Sequence, residues 1–409
     1  MVTLIILIIL AAVSINMVLG DQGIFKKAQE GANAMYEAEV NTQASFNSMT
    51  EEIEKVIGNQ GESNIPPEIK SEIEQAKESG EVFDTKTPLK DEHGNIVQVP
   101  AGFKIAEDSG DTVQQGIVIE DVSASGDDKV KGSQFVWIPV GTFKKDNGDI
   151  SKEIILGRYT FGDSASNGEQ NLVQAAYTES EPENYLKQGE TEQIEDNYIE
   201  LSEYQEGIAS EEINVGKNAT AKDLAGFVNS VKSNKGYYIG RYEASFASGT
   251  SIDDYKAASK VSTGYSEDSM NYTEGTLWNY ITQLDASKVA INTYSESSSV
   301  KSDLVNSYVW NTAIVYIQEA GTLNYANKTI AYDKMSNTGN LAEGVKDEAC
   351  KIHDMASNLA EWTTEYSSHT LDNWNYPCTG RGGNYSDDTT YTSFYGNASA
   401  ISNFDRQRF

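Results

Sequence analysis

The segment Asp354–Thr363 reads DMASNLAEWT, and a later segment, Gly380–Tyr385, reads GRGGNY. The first is a run of apolar and small residues that ends in a carboxylate and a large aromatic side chain. Because an indole removes a large apolar area from water, we expect Trp362 to be a buried anchor of the core. Asn358 and Glu361 are then held near that core, where backbone groups or a bound cation must satisfy them.

The glycine pair at positions 382 and 383 lies in the middle of the second segment. Glycine permits a positive φ and a close approach of backbone to other groups, so we expect one of these uses here. Two further segments precede the pair in the chain. Phe135–Gly141 reads FVWIPVG, and Gly236–Glu243 reads GYYIGRYE.

In this order the four segments resemble the motifs of the formylglycine-generating-enzyme-like family, whose fold is a variant of the C-type lectin fold. The family's boxes D-x-x-G-N-V-x-E-W and R-G-G-S-W/Y correspond to DMASNLAEW and RGGNY in this chain. The resemblance implies an α+β domain of that fold over residues 81–409.

The N-terminal residues 2–19 read VTLIILIILAAVSINMVL and carry no charge. Their length lies at the lower edge of what a membrane-spanning helix needs. Apolar residues then recur at helical spacing as far as Ile57, which predicts one helix about 80 Å long at 1.5 Å per residue. A secretory signal peptide is the alternative, although no basic region precedes the apolar run.

An apolar first half joined to an amphipathic second half resembles the N-terminal helix of type IV pilins. The resemblance implies a helix over residues 1–58 that sits in the membrane before assembly and then forms the centre of a filament. Ile5 stands where pilins usually have Glu. A plain membrane anchor with a stalk helix is the alternative. The assembly residues would be Leu4, Ile5, Leu7, Ile8, Ile9, Leu10 and Val13.

The rest of the chain divides into a linker over 59–80, which contains a short helix at 67–77, and the domain over 81–409. We interpret the acidic residues 186–215 as a solvated insertion, because such dense charge rarely packs. Hydrophobic patterning predicts two helices in the domain, Ala221–Lys232 and Val305–Ala320. It predicts strands at Gly102–Ala106, Gly116–Val122 and Gln134–Val140.

The net charge of −31 and the isoelectric point near 4.4 argue against nucleic-acid binding, which needs a basic surface. The residues after Arg381-Gly382-Gly383 contain no cysteine, so the cysteine pair of the related enzymes is missing. The histidines His93, His353 and His369 lack the spacing of an iron site. The sequence therefore predicts a non-catalytic relative, and His353 beside Asp354 is expected to make a local structural contact.

The family resemblance also implies a calcium ion. Carried over by position, the ligands are Ser357, Asn358, the carbonyl of Leu359 and Glu361, although Ser357 stands where the family has Gly. Calcium takes about six to eight oxygens, so further ligands are needed. The alternative is that Asn358 and Glu361 are internal hydrogen-bond ties.

The two cysteines, Cys350 and Cys378, lie on either side of the first box. In an exported protein an even pair so placed is expected to form a disulfide, worth about 3–4 kcal/mol by the chain-entropy estimate. Two unpaired buried thiols are the alternative.

Residues 384–405 mix aromatic rings with short polar side chains and contain almost no aliphatic residues. Such a mixture is typical of recognition surfaces, and a loop-rich scaffold segment is the alternative. The predicted ligand-binding residues are Tyr385, Asp387, Asp388, Tyr391, Phe394, Tyr395, Asn397, Asn403 and Phe404.

These observations together predict a non-catalytic major subunit of an extracellular, type IV pilus-like filament that displays a C-type-lectin-like adhesive domain. Its expected partners are further copies of the chain through their N-terminal helices, the cytoplasmic membrane before assembly, and an unidentified surface ligand. One alternative is a membrane-anchored monomeric binding protein. Another is an anchored formylglycine-generating-enzyme-like or iron-dependent oxidase.

Overall fold

The computed structural model describes residues 70–150, 153–161, 170–172, 198–200, 224–265, 272–328, 347–367, 378–383, 395–398 and 407–408. All of them belong to the unit Lys70–Phe409. The predicted N-terminal helix, with all its assembly residues, lies outside this part of the chain, as does most of the acidic insertion. Among the described residues, no helix is long and apolar enough to cross a membrane.

The described residues form a mixed fold of helices and several small sheets, which confirms the α+β class. The α-helices are α1 Glu72–Ser79, α2 Leu224–Asn234, α3 Gln283–Thr293 and α4 Ser307–Ala320. The strands are β1 Thr87–Lys90, β2 Ile96–Val99, β3 Phe103–Ile105, β4 Val118–Asp121, β5 Gln134–Pro139, β6 Tyr159–Phe161, β7 Gln170–Leu172, β8 Tyr198–Glu200, β9 Gly236–Gly240, β10 Ala244–Ser248, β11 Lys256–Ser259, β12 Gly264–Tyr265, β13 Thr276–Leu277, β14 Glu348–Ala349, β15 Ile352–His353, β16 Ala360–Ser367, β17 Cys378–Arg381, β18 Tyr395–Ala398 and β19 Gln407–Arg408.

Helix α1 begins later than its sequence predicts because a capping box fixes its start. The Ser71 hydroxyl accepts from the backbone N–H of Glu74, and the Glu74 carboxylate accepts from the backbone N–H of Ser71. Gly80 ends the helix in the left-handed region, at φ 63°. Ile73 and Ala76 are buried in the domain core, so the unit already includes the helix that the sequence placed in the linker.

The predicted strands at 102–106, 116–122 and 134–140 are present as β3, β4 and β5. They form an antiparallel sheet in the order β3-β4-β5-β9. On β5, Trp137 lies opposite Tyr238 of β9, and the two rings pack edge to face with centroids 5.0 Å apart. This sheet therefore joins two of the sequence motifs, FVWIPVG and GYYIGRYE, as neighbouring strands.

The sheet that carries the first box is built around β16. Strand β17 pairs antiparallel with it, and β18 pairs with β17. The closing strand β19 is two residues long and runs parallel to β16 at Ala360 and Glu361. Strand β8 pairs antiparallel with β16 at 365–367. Residues 198–200 of the acidic insertion are thus part of a sheet, because backbone hydrogen bonding does not require apolar side chains.

A second four-stranded sheet has the order β11-β10-β13-β12. Its edge strand β11 lies beside α3. Trp278, which follows β13, packs its ring against Phe246 of β10, with the ring centroids 5.2 Å apart. The remaining pairs are the hairpins β1-β2, β6-β7 and β14-β15. The turn chemistry at 91–95 is confirmed as the β1-β2 hairpin, where the Asp91 carboxylate accepts from the backbone N–H groups of His93 and Asn95.

Helix α4 lies in the middle of the core and is buried from Ser307 to Gln318. The sequence predicted only one buried face, but the helix is covered on all sides because it packs between β5 and β16. Asn306 sets its start, since the side chain accepts from the backbone N–H of Val309 at 3.0 Å. Most core residues form one cluster around α4, and a smaller cluster surrounds Trp278 and Trp362.

Candidate functional site

Residues 354–359 of the first box form the connection between β15 and β16, and all six are buried. Two of its residues have a left-handed backbone, Asp354 at φ 65° and Asn358 at φ 62°. Asp and Asn adopt this conformation more readily than other non-glycine residues. The connection therefore turns sharply twice, and it delivers Trp362 to the core, where its Nε1 donates to the Ile281 carbonyl at 2.8 Å.

Asp347, which lies just before β14, holds this connection in place. One carboxylate oxygen accepts from the backbone N–H of Ala356 at 2.6 Å and from the Ser357 hydroxyl at 3.0 Å. The other accepts from the Tyr325 hydroxyl at 3.2 Å and from Lys328 Nζ at 3.0 Å. Asp347 is buried, so these hydrogen bonds compensate the desolvation of its charge.

Glu243, at the end of the motif GYYIGRYE, holds the other half of the connection. Its Oε2 accepts from Asn358 Nδ2 at 2.6 Å, and the backbone N–H of Leu359 also donates to the carboxyl group. Burial raises the pKa of Glu243 well above its usual value, and the nearby carboxylate of Asp354 adds to that effect. The motifs GYYIGRYE and DMASNLAEW, which are far apart in the sequence, are therefore linked by the buried hydrogen bond from Asn358 to Glu243.

The predicted calcium ligands are directed mainly into the protein. Ser357 donates to Asp347, Asn358 donates to Glu243, and Leu359 is fully buried. Glu361 is only partly buried and faces a cavity described below. Within the described ranges, no group of three or more His, Cys, Asp and Glu side chains is arranged to hold a metal. The geometry of Ser357 and Asn358 matches internal ties, and calcium binding stays a prediction.

The glycine pair is used for a close approach, as its sequence predicts. A Cβ atom on Gly383 would lie 2.2 Å from the Ala356 carbonyl oxygen. Gly382 has φ 82°, and its Cβ would lie 2.6 Å from Glu361 Oε2 and 2.7 Å from the Met355 carbonyl oxygen. The second box therefore packs directly on the first, and no side chain fits between them.

His353 ends β15 next to the box and makes a local structural contact with Tyr242. Its ring stacks on the ring of Tyr242, with centroids 4.8 Å apart and planes 18° apart. Its backbone N–H donates to the Arg241 carbonyl at 2.9 Å. Burial lowers the pKa of His353 to about 4, and the positive charge of Arg241 acts in the same direction.

Because the folded state lowers the pKa of His353 from 6.5 to about 4, the unfolded chain binds this proton more readily. Stability from this group is present above pH 6.5 and is lost as the pH falls towards 4. We expect His353→Phe, which keeps a ring on Tyr242, to remove about 3 kcal/mol of the decline in unfolding free energy over that window. Urea unfolding of both proteins at several pH values measures this difference. If the unfolding free energies of the two proteins fall in parallel between pH 6.5 and 4, the expectation is contradicted.

Cys350 is a free thiol in the structure, and the side chain of Cys378 lies outside the described residues, so the disulfide between them stays a prediction. Cys350 Sγ donates to the Gln114 carbonyl at 3.7 Å, and desolvation raises the pKa of the thiol to about 12. Cys350 lies at the tight β14-β15 turn with φ 48°, where its own carbonyl lies against Gly116. This turn directs the side chain towards Gln114. A thiol that stays protonated at neutral pH is a weak nucleophile.

A cavity of about 170 Å³ lies beside the box, where the two core clusters meet. Glu243, His353, Glu361 and Trp362 all contribute to its wall. Sequence reasoning selected Glu361 and Trp362 but missed Glu243, Asp347 and the cavity. The carboxylate that ends GYYIGRYE was a signal for Glu243. Nothing in the local pattern distinguishes Asp347.

The predicted ligand-binding residues fall almost entirely outside the described ranges. Only Tyr395 and Asn397 lie within them, on β18, where the backbone pairs Arg381 with Tyr395 and Thr379 with Asn397. Residues 382–394 therefore connect two paired strands. Tyr385, Asp387, Asp388, Tyr391, Phe394, Asn403 and Phe404 are not described.

Comparisons of this chain with protein-family models, with curated proteins and with solved structures find no match.

Proposed function

We propose that this chain is a non-catalytic subunit of an extracellular filament. In this proposal residues 1–58 form a pilin-like helix that sits in the membrane before assembly and then joins copies of the chain. The domain that follows is a formylglycine-generating-enzyme-like variant of the C-type lectin fold. It displays an adhesive surface built from residues 384–405, and calcium bound near Ser357, Asn358, Leu359 and Glu361 is part of the proposal.

The observation that supports the recognition role is the pairing of the two described residues that flank positions 382–394. Arg381 ends β17 and Tyr395 begins β18, and these two residues are paired neighbours. The departing end is anchored by the glycine pair, whose backbone touches the buried connection at Met355 and Ala356. Binding segments in proteins are commonly loops positioned by a rigid scaffold, and this segment has such a scaffold at both ends.

The polar side chains of the two boxes support a non-catalytic role. Ser357, Asn358 and Asp347 are occupied by hydrogen bonds that hold the β15-β16 connection. The thiol of Cys350 is partly buried, and its raised pKa keeps it protonated at neutral pH. A nucleophile or general base needs an accessible reactive atom, and these side chains serve the fold instead.

The assembly role rests on the uncharged run at residues 2–19. Its test is the triple variant Ile5→Asp, Leu7→Asp and Ile9→Asp, expressed in the native cells. Three carboxylates in the apolar centre of a fibre are each strongly unfavourable, so we expect filaments to disappear. A matched control changes Ile5 and Ile9 to Leu or Val and Leu7 to Val. These substitutions keep the run apolar and should keep the filaments.

Filaments that survive the three Asp substitutions would overturn the assembly role. The membrane-anchored monomer makes a different prediction for the same proteins. In that case neither wild type nor control forms filaments, and the Asp variant only loses its membrane association. Fractionation of cells beside electron microscopy distinguishes these results.

A further inference from the structure

The cavity beside the box is large enough for a small organic molecule. It lies between the two core clusters, where β5, β9, β10, β11, α3, α4, β15 and β16 meet, and its volume is about 170 Å³. A cavity of about 150 Å³ is sufficient for benzene in other proteins. Its space arises from residues with little or no side chain, namely Gly240, Ala244, Ala257, Ala258 and Ala290.

Aromatic rings form much of the cavity wall. Trp310 and Trp362 both line the cavity and are almost completely buried, so packing holds their rings in place. The faces of such rings attract cations through the ring quadrupole, and the attraction grows when the cation is removed from water. The aromatic lining residues are Phe135, Tyr242, Tyr294, Trp310 and Trp362.

The charged lining is entirely acidic among the described residues. Three carboxyl groups, those of Glu243, Asp303 and Glu361, contribute to the wall, and no Lys or Arg does. Asp303 is exposed to solvent, so the cavity opens beside it and a ligand can enter there. Because the pKa of Glu243 is raised, Asp303 and Glu361 are the acidic side chains that favour a positively charged ligand and disfavour an anion.

We propose that this cavity binds a small organic cation, a primary ammonium group on a benzene-sized apolar body. The apolar body lies between the aromatic rings and the alanines, and the ammonium group faces the carboxyl groups of Glu361 and Asp303. The proposal is independent of filament assembly, because it concerns only the interior of the domain.

The test is calorimetric titration of the purified full chain at pH 7 with three probes of the same size. Benzylamine carries the cation, benzyl alcohol is its neutral counterpart, and benzoate is the anion. Titration of protein-free detergent micelles corrects for partition of the probes. We expect benzylamine to bind at least tenfold more tightly than benzyl alcohol, and benzoate not to bind. Equal affinity for the first two, a preference for benzoate, or no binding of benzylamine would overturn the proposal.

Two variants locate the binding in this cavity. Ala258→Leu fills the space and should weaken benzylamine binding by more than tenfold. Glu361→Gln keeps the shape and removes the charge, so it should weaken benzylamine about tenfold and leave benzyl alcohol within twofold. If Ala258→Leu does not fold, the affinity of Glu361→Gln for benzylamine tests by itself whether the ligand binds in this cavity. Unchanged benzylamine affinity in a folded variant would overturn the assignment to this cavity.

Discussion

Replacing Asp347 by Ala is expected to lower the free energy of unfolding by about 3–5 kcal/mol. The carboxylate accepts four hydrogen bonds, from Ala356 N–H, Ser357 Oγ, Tyr325 Oη and Lys328 Nζ. All of these donors except the lysine are buried, so water cannot replace the lost acceptor. Each buried donor left without a partner costs about 1–3 kcal/mol.

Urea unfolding followed by tryptophan fluorescence measures this loss. The matched control is Asp84→Ala, because Asp84 is exposed and its removal should change stability by less than about 0.5 kcal/mol. Asp347→Asn keeps one oxygen acceptor but places an N–H donor towards the connection. Its loss of unfolding free energy should therefore lie between those of Asp84→Ala and Asp347→Ala. If Asp347→Ala is as stable as the control, the carboxylate does not hold the β15-β16 connection.

Replacing Gly382 by Ala should also remove about 3–5 kcal/mol, for two separate reasons. The residue has φ 82°, a conformation that costs an L-residue about 1–2 kcal/mol. Its new methyl group would also lie 2.7 Å from the Met355 carbonyl oxygen and 3.2 Å from the Trp310 ring. Forcing atoms into a packed core adds about 1–3 kcal/mol.

Alanine substitutions at two other glycines separate the effect of the positive φ from the effect of the steric overlap. Gly126 has φ 69° with nothing within 4 Å of a Cβ, so Gly126→Ala reports only the backbone conformation and should cost about 1–2 kcal/mol. Gly383 has no positive φ, but its Cβ would lie 2.2 Å from the Ala356 carbonyl oxygen, so Gly383→Ala reports the overlap. If Gly382→Ala costs no more than Gly126→Ala, the two boxes are not in close contact.

The sequence was a good guide wherever the cause of a feature is local. Strands β3 to β5, the β1-β2 turn and helices α2 and α4 follow from hydrophobic period and turn chemistry, and their observed ends lie close to the predicted ones. Trp362 and the glycine pair were also recognised correctly, because a buried indole and a close backbone approach have few substitutes. These features need no knowledge of distant residues.

The features that were missed depend on contacts between distant parts of the chain. Asp347 is important because the β15-β16 connection turns back onto its carboxylate. Glu243 is important because it follows β9, a strand of another sheet, and bonds to Asn358. The position of the Cys350 thiol also depends on a distant contact, because the β14-β15 turn directs it towards the Gln114 carbonyl. The cavity depends on how eight helices and strands meet, which no single segment encodes.

The measurement that tests the central proposal most directly is electron microscopy of material sheared from cells that express the chain, with mass spectrometry of the fibres. The proposal predicts regular filaments that contain this chain as their major protein, with residues 1–58 protected inside them. Membrane fractions that contain the chain only as a monomer, with no fibres in the sheared material, would contradict it.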